Sequence, residues 1–347
     1  MSNIRIAVVG AGAIGHMHAE LIAQSDFCNL AALADPAYNA CDFANRLSAP
    51  WFADHRQMFD EAKPQAVIVA TPNDLHVPVA LDAVARGIAV IVEKPIASTV
   101  EDGERLARAA AEARVPVLVG HHRRHNPIIR EARRIVRGGA IGKPTSLAIL
   151  SNFLKPDDYF ELEWRRRAGA GPVLINLIHE IDLIRFVCGE IVSVQAVTSS
   201  ARRGFEVEDT AAIVLRLDNG ALATISLSDT AVSPWSWDLS SGELPNYPPQ
   251  VTPVQTHFFC GTEGALSLPT LDSWRYDGKK SWFAPLTRET IPVERANPYV
   301  LQLRHLCAVI RREETPVIDA DDGVKTLRAT LAVHEAARTG RPVQLQD

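Results

Sequence analysis

The first third of the chain alternates short apolar runs with stretches of helical periodicity. The apolar runs are rich in β-branched residues and predict strands over residues 4–9, 30–34, 66–71, 89–93 and 117–120. The stretches between them place apolar residues three and four positions apart and predict helices over residues 15–23, 77–86 and 100–113. Because uniformly apolar strands alternate with helices, we expect a parallel sheet that is covered on both faces.

The pattern changes after about residue 120. A helix predicted over 127–137 ends at Gly138 and Gly139, and longer strands with alternating polarity follow at 145–154, 192–199, 211–217 and 221–228. Asn219 and Gly220 predict a type I′ hairpin, so this second sheet is at least partly antiparallel. Further helices are predicted over 172–187, 298–312 and 321–339, and the Pro-, Ser- and Trp-rich segment 230–253 is predicted to be a long functional loop.

Composition narrows the class of protein. A length of 347 residues favours two domains, and 47% hydrophobic with 22% charged residues is typical of a globular protein rather than a disordered one. The net charge of −5 gives no electrostatic basis for binding nucleic acid. No apolar run approaches the ~20 residues of a membrane span, and no signal peptide is apparent. Five scattered cysteines without a Cys-x-x-Cys pair favour reduced packing residues in a cytoplasmic protein.

A glycine motif lies between the first predicted strand and the first helix. Gly10, Gly12 and Gly15 follow the pattern G-x-G-x-x-G. Gly10 permits a tight turn, Gly12 lets the backbone approach a pyrophosphate, and Gly15 lets the helix pack close to the strand. The anion would then bind the free N–H groups at the start of the helix, which adds Ala13 and Ile14 to the predicted cofactor site.

Asp35 ends the second predicted strand, 20 residues after Gly15. At this position a carboxylate accepts hydrogen bonds from the adenosine ribose hydroxyls. A carboxylate repels a 2′-phosphate, and the following Pro36 and Ala37 offer no arginine to hold one. We therefore predict NAD rather than NADP as the cofactor. Asp35 also suits the role of a cap for the next helix, and the two roles are compatible.

Further short motifs occur in a fixed order along the chain. They are Ala70-Thr71-Pro72-Asn73 with His76, Glu93-Lys94-Pro95, Arg123-Arg124-His125-Asn126-Pro127 and His179-Glu180-Ile181-Asp182-Leu183. With the glycine motif, and over essentially the whole chain, this set resembles the Gfo/Idh/MocA family of NAD(P)-dependent oxidoreductases. The resemblance implies an α/β protein: an N-terminal Rossmann domain with a doubly wound parallel sheet over 1–122, and a C-terminal α/β domain with a large open, mostly antiparallel sheet over 123–347. It also implies that one face of the second sheet binds substrate and the other contacts another subunit, giving a homodimer or homotetramer.

The same resemblance assigns roles to the motif residues. It implies that the following residues contact the cofactor: Thr71, Pro72, Asn73, His76, Glu93, Lys94 and Arg123. Glu93 is expected near the nicotinamide ribose, and Pro95 follows a cis peptide bond in many relatives. Lys94 matches the catalytic lysine, and its place at the carboxyl end of a parallel strand lets its ammonium stabilise a developing alkoxide. A surface ion pair with Glu93 is the structural alternative for Lys94.

His179 matches the catalytic histidine of the family. On the predicted helix, Asn176, His179 and Asp182 are spaced by three and share roughly one side. Many relatives carry an aspartate four residues before the histidine, where this chain has Ile175. Asn176 is the nearest polar substitute, but an amide cannot take a proton, so it can only orient His179 or bind a substrate oxygen. A buried structural histidine is the alternative for His179.

The remaining candidates concern substrate binding. The resemblance places His122 at the domain junction, facing the cleft, which makes it a candidate for substrate binding. Trp164 and Arg165 begin a basic run over 164–167 that suits an acidic substrate group and a solvated charged surface equally well. Trp235 is a candidate within the 230–253 loop, although ordinary packing is the stronger explanation for it. No metal is predicted, because no cysteine or carboxylate set accompanies the histidines of 121–125 and their arginine neighbours repel cations.

These residues predict reversible oxidation of a secondary alcohol, with hydride transfer to a nicotinamide cofactor. The resemblance implies a sugar, an inositol or another polyol as the substrate. One alternative is a dehydrogenase of a carboxylated cis-dihydrodiol or a hydroxymuconic semialdehyde from aromatic breakdown. Others are an NAD-dependent glycosidase without net NADH release, and a sensor that binds the cofactor without turnover.

Overall fold

A computed structural model describes residues 3–243, 247 and 252–345, which group into two compact units. The first unit comprises Met1–His122 and Tyr299–Leu327, and the second comprises Arg123–Pro298 and Arg328–Asp347. The change of unit after residue 122 lies where the sequence analysis placed it, but residues 299–327 were predicted in the second domain. They belong to the first because Leu303, Leu306 and Val309 are buried in its hydrophobic core.

Apolar faces at helical spacing produce helices in both units. The α-helices of the described residues are α1 (Ala13–Ala23), α2 (Asn39–Arg46), α3 (His55–Ala62), α4 (His76–Val84), α5 (Val100–Ala113), α6 (Pro127–Arg137), α7 (Ile178–Val187), α8 (Trp237–Ser240), α9 (Pro298–Ile310) and α10 (Ala320–Thr339). Short 3₁₀ turns occur at Asn73–Leu75, His122–His125, Asp157–Glu161 and Glu163–Arg166, and a π turn spans Val173–Leu177.

The sheet of the first unit is parallel. Its strands are β1 (Ile4–Val9), β2 (Cys28–Ala34), β3 (Trp51–Phe52), β4 (Ala66–Val69), β5 (Ala89–Val92) and β6 (Val117–Val119). They are ordered β3-β2-β1-β4-β5-β6, which is the Rossmann order, so the topological switch point lies between β1 and β4. The residues that follow β1, β4 and β5 therefore gather at one edge of the sheet, where ligands bind in such folds. The prediction of a doubly wound parallel sheet is confirmed.

The sheet of the second unit is large and mostly antiparallel, as predicted. Its strands are β7 (Pro144–Asn152), β8 (Ile191–Ser199), β9 (Thr210–Leu217), β10 (Leu222–Ser228), β11 (His257–Gly261), β12 (Gly264–Leu268), β13 (Asp272–Arg275), β14 (Thr287–Thr290) and β15 (Val343–Gln344). The order is β14-β13-β12-β11-β7-β10-β9-β8-β15, with β7 and β10 as the parallel pair. Along β9, buried and exposed residues alternate strictly, so one sheet face is packed and the other is open.

Three local predictions differ from the structure. The type I′ turn was wrong: Gly220 has a φ of +87° but Asn219 does not have the positive φ this turn requires. Instead, the Gly220 N–H donates to the Leu217 carbonyl at 3.0 Å, which gives a type I turn completed by a left-handed glycine. The helix predicted over 172–187 begins as the π turn and becomes α-helical at Ile178. The predicted loop 230–253 contains α8, and its residues 244–246 and 248–251 lie outside the described part of the chain.

Candidate active site

The glycine motif forms the turn between β1 and α1. Gly10 has a φ of +97°, and a Cβ there would lie 2.4 Å from the Ala70 carbonyl oxygen. A Cβ on Gly15 would lie 1.9 Å from the Gly10 carbonyl oxygen. Glycine is therefore required at both positions, because a neighbouring backbone carbonyl leaves no room for a Cβ. A Cβ on Gly12 would meet nothing within 4 Å, so this position faces open space.

The start of α1 is suited to an anion. Gly12 is its N-cap, and no side chain caps the helix or places an acid in its first turn. The N–H groups of Ala13, Ile14 and Gly15 are thus left at the positive end of the helix dipole. The space beside Gly12 and the uncapped helix start together fit a pyrophosphate, as the sequence analysis predicted.

Asp35 follows β2 and holds the glycine turn. Its Oδ2 accepts the Ala11 N–H at 2.7 Å, and its Oδ1 accepts the Ala37 N–H at 2.8 Å. The helix-cap alternative is wrong, because α2 begins later, at Asn39, without a side-chain cap. Each carboxylate oxygen has a further lone pair, so Asp35 retains the capacity to accept hydrogen bonds from ribose hydroxyls.

His76 connects the residues that follow β4 to those that follow β5. Its Nδ1 lies 2.7 Å from the Pro95 carbonyl oxygen and its Nε2 lies 2.9 Å from the Thr71 carbonyl oxygen. Burial lowers the pKa of His76. The Lys94–Pro95 bond is cis. His76 therefore lies between the backbone of Thr71, the first of the predicted cofactor residues Thr71, Pro72 and Asn73, and the backbone of Pro95, the residue after Lys94.

Glu93 is buried directly before Lys94. Its Oε1 lies 2.8 Å from His18 Nε2 on α1, and its Oε2 accepts the Lys94 backbone N–H at 3.2 Å. Burial opposes ionisation of this carboxyl, but the hydrogen bond from His18 and the charges of His18, His122 and Lys94 hold its pKa below the usual value. The sequence analysis missed His18, although its place three residues after Gly15 puts it on the face of α1 nearest the sheet.

His122, predicted to bind substrate, is 5% exposed and stacks on Tyr299 with ring centroids 4.2 Å apart. Both residues belong to the first unit, and Tyr299 comes from the segment that the sequence analysis placed in the other domain. A substrate contact for His122 stays a prediction.

In the second unit, a buried ion-pair network holds the start of α7. Arg123 donates to Glu180 at 2.8 Å and to Asp238 at 2.9 Å, and His257 Nε2 lies 2.7 Å from the other Glu180 oxygen. Burial opposes ionisation of Glu180, yet Arg123 and His257 lower its pKa to about 2. Arg123 thus fixes the turn that carries His179, and the predicted cofactor contact of Arg123 stays a prediction.

Asp182 and Asn176 have separate partners. Arg124 binds the Asp182 carboxylate through Nη2 at 2.7 Å and Nε at 2.9 Å, and both side chains are buried. Asn176 lies in the π turn, where its Oδ1 accepts a hydrogen bond from Lys155 Nζ at 2.8 Å. His179 is the second residue of α7 and is 8% exposed.

Lys155 is a residue that the sequence analysis missed, because nothing in the segment after β7 distinguishes it. It is 7% exposed, and its Nζ lies 3.3 Å from Asp229 Oδ2 as well as close to Asn176. Burial lowers the pKa of Lys155, and Asp229 opposes that effect. The second unit therefore contains a buried ammonium group that directly contacts Asn176, one of the predicted site residues.

Within the basic run 164–167, Arg165 packs against an aromatic ring and Arg167 is exposed to solvent. Arg165 lies 4.0 Å from the Tyr159 ring centre and donates to the Tyr159 carbonyl at 2.7 Å. Arg167 is exposed and pairs with Glu163 at 2.5 Å. Trp164 and Trp235 are 56% and 48% exposed, so both rings present apolar surface to solvent. Their predicted substrate contacts stay predictions.

Three findings concern membrane-spanning helices, metal-binding clusters and disulfide bonds. In the described part of the chain, no helix is long and apolar enough to cross a membrane. Residues 3–243, 247 and 252–345 contain no group of three or more histidine, cysteine, aspartate or glutamate side chains suited to a metal ion. All five cysteines are free thiols.

Comparison with known proteins identifies the two halves of the chain. Residues 4–121 match the model of an oxidoreductase family with an NAD-binding Rossmann fold, and residues 129–267 match the GFO/IDH/MocA C-terminal domain. The chain is 26% identical to scyllo-inositol 2-dehydrogenase (NAD(+)) of Bacillus subtilis, covering 99% of this chain and 96% of that protein. It is 27% identical to D-apiose dehydrogenase of Paraburkholderia graminis, covering 98% and 89%.

Solved structures agree with the fold. An aldose-aldose oxidoreductase from Caulobacter crescentus matches with a TM-score of 0.80 and 25% identity over 99% of this chain and 100% of that one. The WlbA dehydrogenase from Bordetella pertussis, solved with NADH and UDP-GlcNAcA, matches with a TM-score of 0.80 and 23% identity over 100% of both chains. The chain belongs to the Gfo/Idh/MocA family of oxidoreductases, and its first unit is the NAD-binding domain of a dehydrogenase that acts on alcohol groups.

Proposed function

We propose that this protein oxidises a secondary alcohol of an inositol, a sugar or a related polyol with NAD, and reduces the corresponding ketone in reverse. The observation that carries the proposal is the environment of Lys94. The lysine follows β5 at the ligand-binding edge of the NAD-binding sheet, and the buried Glu93–His18 pair fixes the backbone directly before it. Full-length relatives named for scyllo-inositol, myo-inositol and D-apiose support the substrate class.

The residues of this chain supply the proton chemistry. NAD, when bound, accepts the hydride at its nicotinamide ring. We assign to His179 the removal of the hydroxyl proton, since histidine changes protonation state near neutral pH and such transfer contributes typically ~10²–10⁴-fold in rate. We assign to Lys94 the stabilisation of negative charge on the substrate oxygen, a contribution worth about 10²–10³-fold. In the reverse direction His179 returns the proton to the carbonyl oxygen.

Asp35 supports NAD over NADP. Its carboxylate accepts the Ala11 N–H and is thereby held against the glycine turn. Because both groups are negatively charged, this carboxylate would repel a 2′-phosphate placed near it. The next two residues, Pro36 and Ala37, carry no positive charge that would compensate.

We also propose a homo-oligomer, in which the open face of the second sheet contacts another copy of the chain. This face carries exposed apolar side chains on β8, β9, β10 and β11, namely Val197 at 71%, Val214 at 45%, Leu222 at 52% and Phe258 at 37% exposure. A row of apolar side chains on one face is typical of a protein interface. Light scattering coupled to size exclusion gives the molar mass, and a mass of one chain at 1 mg/mL contradicts this proposal.

The test of the enzymatic proposal is a substrate panel followed at 340 nm. The purified protein is incubated with NAD and scyllo-inositol, myo-inositol, D-apiose, levoglucosan, a carboxylated cis-dihydrodiol or an aryl β-glycoside, and with NADP in parallel. We expect NADH formation with at least one polyol or sugar, at a rate at least about 10²-fold lower with the matched variant Lys94→Met.

Other outcomes identify the alternatives. Turnover of the dihydrodiol alone indicates the aromatic-breakdown enzyme. Release of the aryl group with constant 340 nm absorbance indicates a glycosidase. Tight NADH binding without turnover of any compound indicates a sensor. Each of these three results rejects the polyol dehydrogenase.

A further inference from the structure

Asn176 lies in the π turn before His179, and one contact fixes the orientation of its amide. Lys155 Nζ lies 2.8 Å from Asn176 Oδ1. An ammonium only donates hydrogen bonds, so the amide oxygen and not the amide nitrogen must face it. The Nδ2 group of Asn176 therefore points away from Lys155 with two N–H donors.

Those donors are available. Asn176 is half-buried, and within the described residues its Nδ2 donates to no protein acceptor. A half-buried amide N–H without a protein acceptor is suited to bind a ligand oxygen, because a donor that is withdrawn from water without gaining an acceptor costs free energy. Asn176 lies in the π turn that leads into α7, three residues before His179 in the chain.

Lys155 is itself held in a fixed position. Its Nζ also lies 3.3 Å from Asp229 Oδ2 and 4.9 Å from the Tyr159 ring centre, within cation–π range. Its backbone N–H donates to the Asp229 carbonyl at 2.9 Å. The lysine is thus anchored by its backbone, by an acid and by an aromatic ring, which leaves one direction for Asn176.

We propose that Lys155 is a positioning residue for the reaction, which acts through Asn176. It orients and polarises the amide so that Nδ2 donates to an oxygen of the alcohol substrate. Hydrogen-bonded groups in a partly buried site polarise one another, so an amide that accepts from an ammonium becomes a stronger donor. Many relatives place a carboxylate four residues before the histidine, whereas this chain has an amide three residues before it. An amide N–H donor favours a substrate oxygen that carries developing negative charge. This inference rests on the proposed function.

The experiment compares four variants of the full-length protein on the best polyol of the panel: Lys155→Met, Asn176→Ala, the double variant, and the exposed control Lys143→Met. We expect kcat to fall at least about 10-fold in each of the first two variants, since Asn176→Ala removes the proposed donor and Lys155→Met removes the group that orients it. Because Lys155 acts through Asn176, the double variant should lie within about 3-fold of Asn176→Ala rather than multiplying the two losses. Lys155→Arg, which keeps a cationic donor, should recover part of kcat.

Binding of NADH, measured by fluorescence, should be unchanged in all four variants, because the NAD-binding unit is not altered. A Lys155→Met enzyme with wild-type kcat overturns the inference, as does a double variant whose loss is the product of the single losses. Failure of the wild-type protein to turn over any alcohol rejects the proposed function and this inference with it. Activity in the wild type together with additive losses rejects the inference alone.

Discussion

His18 Nε2 lies 2.8 Å from Glu93 Oε1, and both side chains are buried within the first unit. This pair connects the helix that follows the glycine turn to the residue before Lys94. The pair therefore links the predicted cofactor site at the glycine turn to the backbone of the proposed catalytic lysine.

We expect His18→Leu to lower the free energy of unfolding by about 3–5 kcal/mol, because it leaves a carboxylate buried without its partner. His18→Gln keeps an N–H donor near the same place and should retain more than half of that stability. Urea denaturation of the three proteins measures the difference. A His18→Leu protein within about 0.5 kcal/mol of the wild type would show that the pair contributes nothing.

Gly12 and Gly15 should separate cofactor binding from folding. A Cβ on Gly12 meets nothing within 4 Å, so Gly12→Val should lose only about 1 kcal/mol of stability, as a poorer N-cap, while it blocks the pyrophosphate and raises the Kd for NADH at least about 10-fold. A Cβ on Gly15 would lie 1.9 Å from the Gly10 carbonyl oxygen, so Gly15→Ala should lose stability instead. Thermal unfolding and NADH fluorescence titration distinguish the two effects. Equal loss of stability in both variants is the contrary result.

Asp35→Ser should reduce discrimination against NADP. The substitution removes the negative charge beside a 2′-phosphate and a bidentate acceptor for ribose hydroxyls. We expect kcat/KM with NAD to fall at least about 10-fold, at roughly 1.4 kcal/mol per tenfold change, while kcat/KM with NADP falls less or rises. Glu61→Ser, on the exposed end of α3, is the control for a lost charge in the same unit. A wild-type protein that prefers NADP contradicts the assignment of NAD.

Lys94→Met and His179→Ala should each lower kcat at least ~10²-fold, because each removes a group proposed to act on the reacting oxygen or its proton. The affinity for NADH should change little in His179→Ala, since His179 belongs to the second unit and the NAD-binding turn to the first. Pre-steady-state measurement of hydride transfer tests this without interference from product release. Near-normal rates in either variant reject the role of that residue.

The stability of the protein should depend on pH through Glu180. Its folded-state pKa of about 2 lies below the usual value of 4.5, so its ion pairs stabilise the protein fully above about pH 4.5. That contribution, roughly 3 kcal/mol, is lost as the pH falls toward 2 and the carboxylate takes up a proton. Glu180→Gln should therefore be less stable than the wild type at pH 7, and the difference should shrink between pH 4.5 and 2. Glu289→Gln, at an exposed glutamate, should show no such change of difference with pH.

The sequence determined many of the local elements, although not α2, α3, β3 or the strands from β11 onward, and most of the residue types of the site. The period of the apolar residues predicted β1 and α5 to the residue and the other long strands of the first sheet within a few residues, because hydrophobic periodicity reflects which face of an element is buried. The glycine turn followed from steric requirements that belong to the backbone, so Gly10, Gly12 and Gly15 could be interpreted without neighbours. The family motifs pointed to Lys94 and His179 in the same way.

Only the tertiary structure decided which residues meet. Tyr299 and Leu303 belong to the unit that contains β1, although they follow the second sheet in the chain, because a helical period shows that a face is buried but not against which element. Lys155 reaches Asn176 from 21 residues away, and His18 reaches Glu93 from 75. Such polar contacts have no period and depend on where the sheets bring their ends together. The sequence thus sets the chemical type of each side chain, while the fold sets its partners, its burial and therefore its pKa.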